Sequence, residues 1–277
     1  MLMKLWKYDM KFSYRIMVFI YIIAIALSVF LSGTVLLSQK IEYVSIFSVI
    51  SLLPYMFSLL AVSLSGMLIL AIRVYKNLYT DEGYLTFTLP VTTAQLIWSK
   101  VLLYAFWQVA SIFVFILSIA LPLVTVAYLQ GVGGDIAGII ELAVDYLGFM
   151  ARTVWGLDAQ KIVIFVAVIV VNYVVLLIST PVSIIFSFSI GQLANRYRLL
   201  ITFIVYYAYN IVMNTVISII ESLFFVGNNL LVPETSLGFD MTSLISVSAI
   251  SLVIDIVITI LIFIISHNIM SKKLNLI

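Results

Sequence analysis

Six stretches of the chain, about residues 16–37, 45–72, 96–128, 162–190, 199–220 and 243–266, are almost free of charge. Lys100, near the start of the third, and Asp255, inside the sixth, are the exceptions. A hydrocarbon core of about 30 Å is crossed by roughly 20 helical residues at ~1.5 Å each, so every stretch is long enough to span it. With 64% hydrophobic and 9% charged residues, the 277-residue chain has too little polar surface for a soluble globular domain. The expected fold is an all-α integral membrane protein with six transmembrane helices in a single domain, residues 1–277. No internal repeat and no domain-sized linker interrupts it.

Several chemistries are excluded at once. There is no cysteine, which removes disulfides, thiol catalysis and sulfur-ligated metals, and the single histidine, His267, has no second histidine to share a metal. No nucleophile–base constellation is visible, so the chain is not expected to be an enzyme. The opening MLMKLWKYDMKFSYR resembles the basic start of a signal peptide, but the apolar run behind it is too long and lacks a small-residue cleavage pattern. A retained first helix is expected. Lys4, Lys7, Lys11 and Arg15, with Leu5, Trp6, Tyr8 and Phe12 between them, suit either a short helix lying in the headgroup layer or a basic flank that orients the first span.

Charge placement gives a topology. With both termini inside, Lys4, Lys7, Lys11, Arg15, Arg73, Lys76, Lys100, Arg196, Arg198, Lys272 and Lys273 lie on the cytoplasmic side, against only Lys40, Arg152 and Lys161 outside. The external segment between Tyr128 and Lys161 carries Asp135, Glu141, Asp145, Arg152 and Asp158 at partly helical spacing, which suggests an amphipathic helix. A second external segment runs from Glu221 to Asp240. In the fourth span Ser179, Ser183, Ser187 and Gly191 recur at steps of four, a stripe suited to close helix packing.

The stretch Arg73–Lys100, RVYKNLYTDEGYLTFTLPVTTAQLIWSK, is then a short cytoplasmic loop tethered at both ends to membrane helices. Arg73, Tyr75, Lys76 and Tyr79 extend the second helix, and Gly83 is placed to end that extension, since glycine accepts the left-handed conformation of a C-cap. Pro90 prevents simple continuation. A new helix starts at Thr92, which has capping-box spacing with Gln95, while Val91 and Leu96 have that of a hydrophobic staple. The result is an elbow with defined ends.

NLYTDEGYLTFTLPVTTAQLIWSK resembles the cytoplasmic segment of small bacterial ATP-binding-cassette (ABC) exporter permeases of the type 2 class, which often read DEGYLTFTLPVS before a leucine-rich helix and SK. Thr92 stands where serine is common and preserves the cap. The motif covers about a tenth of the chain, while the six-span layout and basic N-terminus agree over nearly all of it. The resemblance implies a permease subunit in the bacterial cytoplasmic membrane, paired with a second permease subunit as a homo- or heterodimer. Asp81, Glu82, Gly83, Tyr84, Phe87 and Pro90 would contact a separate cytoplasmic ATPase, making the loop a coupling helix. ATP and Mg would belong to that partner, with no cofactor here: no glycine is followed by lysine, so the GxxxxGK[ST] phosphate loop is absent. Membrane lipid is an expected partner and nucleic acid is not. One departure is that the larger external segment follows the third span, whereas better-known relatives place external re-entrant helices between the fifth and sixth.

Asp255 is the one acid in mid-membrane, where a carboxylate costs about 2.5–3.5 kcal/mol on insertion scales and must face water or a partner. Ser248, Ser251, Asp255, Thr259 and Ser266 share a side of the sixth span; Tyr206, Asn210, Asn214, Ser218 and Glu221 form a polar side of the fifth. Ser251, Asp255, Thr259, Tyr206, Asn210 and Asn214 are the candidates to line a path. The bland alternative is interhelical hydrogen bonding, with Asp255 protonated or bonded to an Asn or Tyr. Two other functions remain open: an ion-coupled transporter in which Asp255 takes up and releases a proton, and a non-transporting membrane scaffold.

Overall fold

The computed structural model describes residues 2–38, 41, 43–80, 83, 88, 90–129, 138, 144–145, 148–149, 159–194, 196–229 and 241–272. Among these the protein is all-helical, with six long helices: α1 Leu2–Ser38, α2 Val44–Tyr79, α3 Thr93–Leu129, α4 Ala159–Gly191, α5 Arg198–Asn229 and α6 Met241–Lys272. Each is long and apolar enough to cross a membrane, which makes the chain a multi-pass membrane protein.

The helices outrun the apolar stretches. Helix α1 has 37 residues, about 55 Å at ~1.5 Å per residue, against a hydrocarbon core of about 30 Å. It runs unbroken from Leu2, so the basic N-terminal segment is the opening four turns of the first spanning helix and not a separate interfacial element. The helix of the fifth span likewise continues past the apolar limit at residue 220, to Asn229, so that Glu221 is helical. A charge ends an apolar count, but Glu and Lys are good helix formers and do not end a helix. Most of the expected amphipathic helix between Tyr128 and Lys161 falls outside the described residues.

The chain divides into two compact units, one of Met1–Arg73 with Leu102–Asp145 and one of Val74–Val101 with Tyr146–Ile277. In the first, Met17, Tyr21 and Ala24 of α1 pack with Val62 and Ile69 of α2 and Leu103 and Trp107 of α3. Hydrophobic burial does not distinguish helix from lipid in a bilayer, so specificity here needs polar and steric fits. Pro122 supplies one. Lacking an N–H, it leaves the carbonyl of Ser118 without its helical partner. Ser28 of α1 donates to that carbonyl at 2.6 Å and Tyr55 of α2 at 3.1 Å. One freed backbone acceptor thus ties three helices together. Elsewhere along the same helices the Tyr21 hydroxyl meets Ser111 Oγ at 2.8 Å, and Thr34 meets Ser51 at 3.2 Å.

In the second unit α4, α5 and α6 pack against one another pairwise. Of the small-residue stripe of α4, Ser183, Ser187 and Gly191 are buried and Ser179 is partly exposed. At Gly191 even a methyl group would overlap Thr202 Oγ1 of α5 and lie 2.9 Å from the Arg198 carbonyl, so glycine is what lets the two helices close. The serine hydroxyls satisfy themselves within the helix, Ser183 donating to the Thr180 carbonyl and Ser187 to that of Ser183. The chain reverses between α4 and α5 through Tyr197, held at φ 56°.

Candidate functional site

The elbow between α2 and α3 has both limbs fixed within the second unit. On the α2 side, Tyr79 is buried; its hydroxyl lies 2.9 Å from Ser189 Oγ of α4, and its ring stacks on Phe188 at 6.0 Å. Tyr75, one turn earlier, meets the same Phe188 ring at 6.1 Å. These aromatic pairs each add about 0.5–1.5 kcal/mol beyond their buried area. On the α3 side, Trp98 contacts Phe263 of α6 at 6.0 Å, and Leu96 and Ile97 are buried. Ser99 and Lys100, which close the matched motif, are buried too, with Ser99 Oγ donating to the Leu96 carbonyl at 2.7 Å.

The predicted cap at the start of α3 is present. The Gln95 N–H donates to Thr92 Oγ1 and the Thr92 N–H to Gln95 Oε1, both at 3.3 Å, the reciprocal pair of a capping box. Thr92→Ala is expected to cost about 0.5–2 kcal/mol of local stability, read as faster amide exchange confined to the first turn of α3. Unchanged exchange there would mean that the tertiary contacts of Leu96 and Ile97 hold the turn without the cap.

Gly83 carries a correction. Its N–H donates to the Thr80 carbonyl at 2.7 Å, so it does close the α2 end, but its φ lies outside the left-handed region. The need for glycine is steric: a Cβ would sit 2.7 Å from the Leu78 carbonyl oxygen and 2.8 Å from its carbon. Gly83 and Thr88 are helical and Pro90 is at a bend. Asp81, Glu82, Tyr84 and Phe87 lie outside the described residues.

The polar candidates of α5 and α6 are only partly brought together. Ser248 and Ser251 donate to carbonyls of their own helix, each at 3.0 Å, and Ser266 to the Ile262 carbonyl at 2.6 Å. Asn210 donates to its own Tyr206 carbonyl at 2.8 Å, while Asn214 is exposed. Much of the hydroxyl stripe is therefore self-satisfied. Thr259 is buried, and Asp255 is half-buried with no hydrogen bond or ion pair to a described residue. Its electrostatic neighbour is Tyr209 of α5, whose ring meets Phe186 of α4 at 6.1 Å. Sequence reasoning missed Tyr209. The signal available was its place one turn from Tyr206 on a helix already rich in tyrosine.

Among the described residues no group of three or more His, Cys, Asp and Glu side chains is placed to hold a metal ion. The fold and these sites define a six-helix membrane protein with an anchored elbow and a carboxyl group on the flank of a three-helix group. Comparison with protein-family models finds no match, and comparisons with curated proteins and with solved structures find none either.

Proposed function

We propose that this chain is the transmembrane permease subunit of an ABC exporter in a bacterial cytoplasmic membrane, with both termini and the elbow on the cytoplasmic side. A separate ATPase subunit would supply ATP hydrolysis, and a second permease subunit would complete the path. One observation carries the reading: both limbs of the elbow are anchored by aromatic contacts, Tyr79 to Phe188 and Trp98 to Phe263. A push delivered to the elbow would be passed to α4 and α6, and α6 carries Asp255 two turns from Phe263. The resemblance of residues 77–100 to coupling segments of type 2 exporters, and the excess of Lys and Arg on the same side, support it.

The test is affinity copurification of the chain from its native membrane, followed by ATPase assay with and without Phe87→Asp. A stoichiometric nucleotide-binding partner whose hydrolysis loses its stimulation in the variant is the expected result. Recovery of intact protein without any ATPase would overturn the reading.

The second reading, proton-coupled transport, is favoured by Asp255 itself, a mid-membrane carboxyl group with no hydrogen-bond partner among the described residues. It requires transport in vesicles lacking any ATPase, abolished by Asp255→Asn. The permease reading requires that such vesicles be inactive with either residue.

A further inference from the structure

The first four turns of α1 separate their charges by face. At about 100° per residue, Lys4, Lys7, Lys11 and Arg15 fall within an arc of roughly 80°, with Asp9 nearly opposite their centre. All four cations are exposed and make no hydrogen bond or ion pair with a described residue. Asp9, the only acid in the segment, is buried and ion-paired with Arg73 at 2.8 Å. The cations are thus left unneutralised on a face that Trp6 and Met10, packed against the core, hold in a fixed direction. A flank that merely orients a span needs no such sorting. Like charges at helical spacings of three and four repel one another, so the arrangement is favourable only with anions laid against it.

A second, apolar feature adjoins it. Met3 and Trp6 of α1, with Leu102, Phe106, Val109 and Phe113 among the α3 residues opposite, line an open groove of about 650 Å³. From Leu102 to Phe113 it follows α3 for roughly 16 Å. Met3 and Lys7 are neighbours on the α1 surface, so the groove begins where the cationic face begins. Tyr8 and Tyr14 are exposed among the cations, and tyrosine is a residue type enriched at the headgroup layer.

We infer that this part of the protein binds an anionic glycerophospholipid, its phosphate against the Lys4–Lys7–Lys11–Arg15 face and an acyl chain in the α1–α3 groove. Charge complementarity selects the headgroup. Continuity of the groove with the cationic face selects a lipid over a soluble anion.

The test uses the full chain in detergent, stripped of lipid and incubated with mixed micelles of equal phosphatidylglycerol and phosphatidylcholine. After repurification, bound lipid is counted by native mass spectrometry. Phosphatidylglycerol should be retained roughly tenfold over phosphatidylcholine, since each juxtamembrane cation favours an anionic surface by about that order or a little less. The variant with Lys4, Lys7 and Lys11 all changed to Gln and Arg15→Gln should retain the two equally, and the arginine variant K4R/K7R/K11R should keep the preference. If the Gln variant fails to insert, Lys7→Glu alone should lower the ratio. Val109→Trp, which fills the groove, should reduce the retained phosphatidylglycerol. A wild-type ratio near one, or a preference surviving both kinds of change, overturns the assignment. So does disulfide capture of two chains through Val109→Cys, the sole thiol it would introduce, because the groove would then be covered by a second copy.

Discussion

Alanine at position 83 is expected to uncouple the protein. The added Cβ alone would meet the Leu78 carbonyl oxygen at 2.7 Å and its carbon at 2.8 Å, and these are backbone atoms that no rotamer change can move. Either the Gly83 N–H to Thr80 contact breaks, or the last turn of α2 shifts. That turn carries Tyr79, so a shift also disturbs the Ser189 contact and the stack on Phe188. On the proposed function, ATPase stimulation by the permease should fall by about 5- to 150-fold, the usual range of a coupling free energy. Hydrolysis by the isolated ATPase should not change. Asparagine separates the two explanations of this glycine: it accepts the left-handed conformation that helix C-caps use, so it would be tolerated if conformation were the need. With space as the need, Gly83→Asn should behave like Gly83→Ala. Full stimulation in a folded Gly83→Ala protein would sink the elbow as the coupling element.

What could be read from the sequence follows from the range of the interaction concerned. The six helices, the capping box of Thr92 and Gln95 and the buried serine stripe of α4 are local patterns, each carried by residues within a few turns of one another. A charge marks the limit of an apolar stretch but not the end of its helix, as at Glu221, which lies inside α5. Gly83 was found for the wrong reason, because a sequence shows that a Cβ is absent but not what it would strike. The bonds that fix the first unit were out of reach altogether. Pro122 advertises a free carbonyl at Ser118, yet nothing in the sequence says that Ser28 and Tyr55, 90 and 63 residues away, will fill it. The same holds for Asp255 and Tyr209. The carboxyl was legible as an anomaly, and its neighbour was not, because the facing of two helices is a tertiary fact.

The ion pair of Asp9 and Arg73 gives the largest effect on stability. Asp9 is 1% exposed and its carboxylate lies 2.8 Å from Arg73 Nε; the contact is an ion pair by proximity, since the Nε–H is not aimed for a hydrogen bond. The guanidinium carbon stands 4.7 Å from the centre of the Phe12 ring, one helical turn from Asp9, so α1 grips Arg73 by charge and by an aromatic face. Ser13 donates to the Asp9 carbonyl at 2.8 Å and is itself buried, which fixes the turn that presents the acid. Removing one member of such a buried pair costs about 3–5 kcal/mol. Arg73→Met should therefore lower the unfolding midpoint in detergent by on the order of 10 °C, and Asp9→Leu should do nearly the same. The double variant, Asp9→Leu with Arg73→Met, removes both members of the pair and should recover most of that loss, since replacing a buried pair by apolar side chains is often neutral or better. Strict additivity, with the double variant as unstable as the two single losses summed, would show that the pair does not act as a unit. Recovery in the double variant would instead identify it as the contact fixing the basic start of α1 against α2, seven residues before that helix gives way to the elbow.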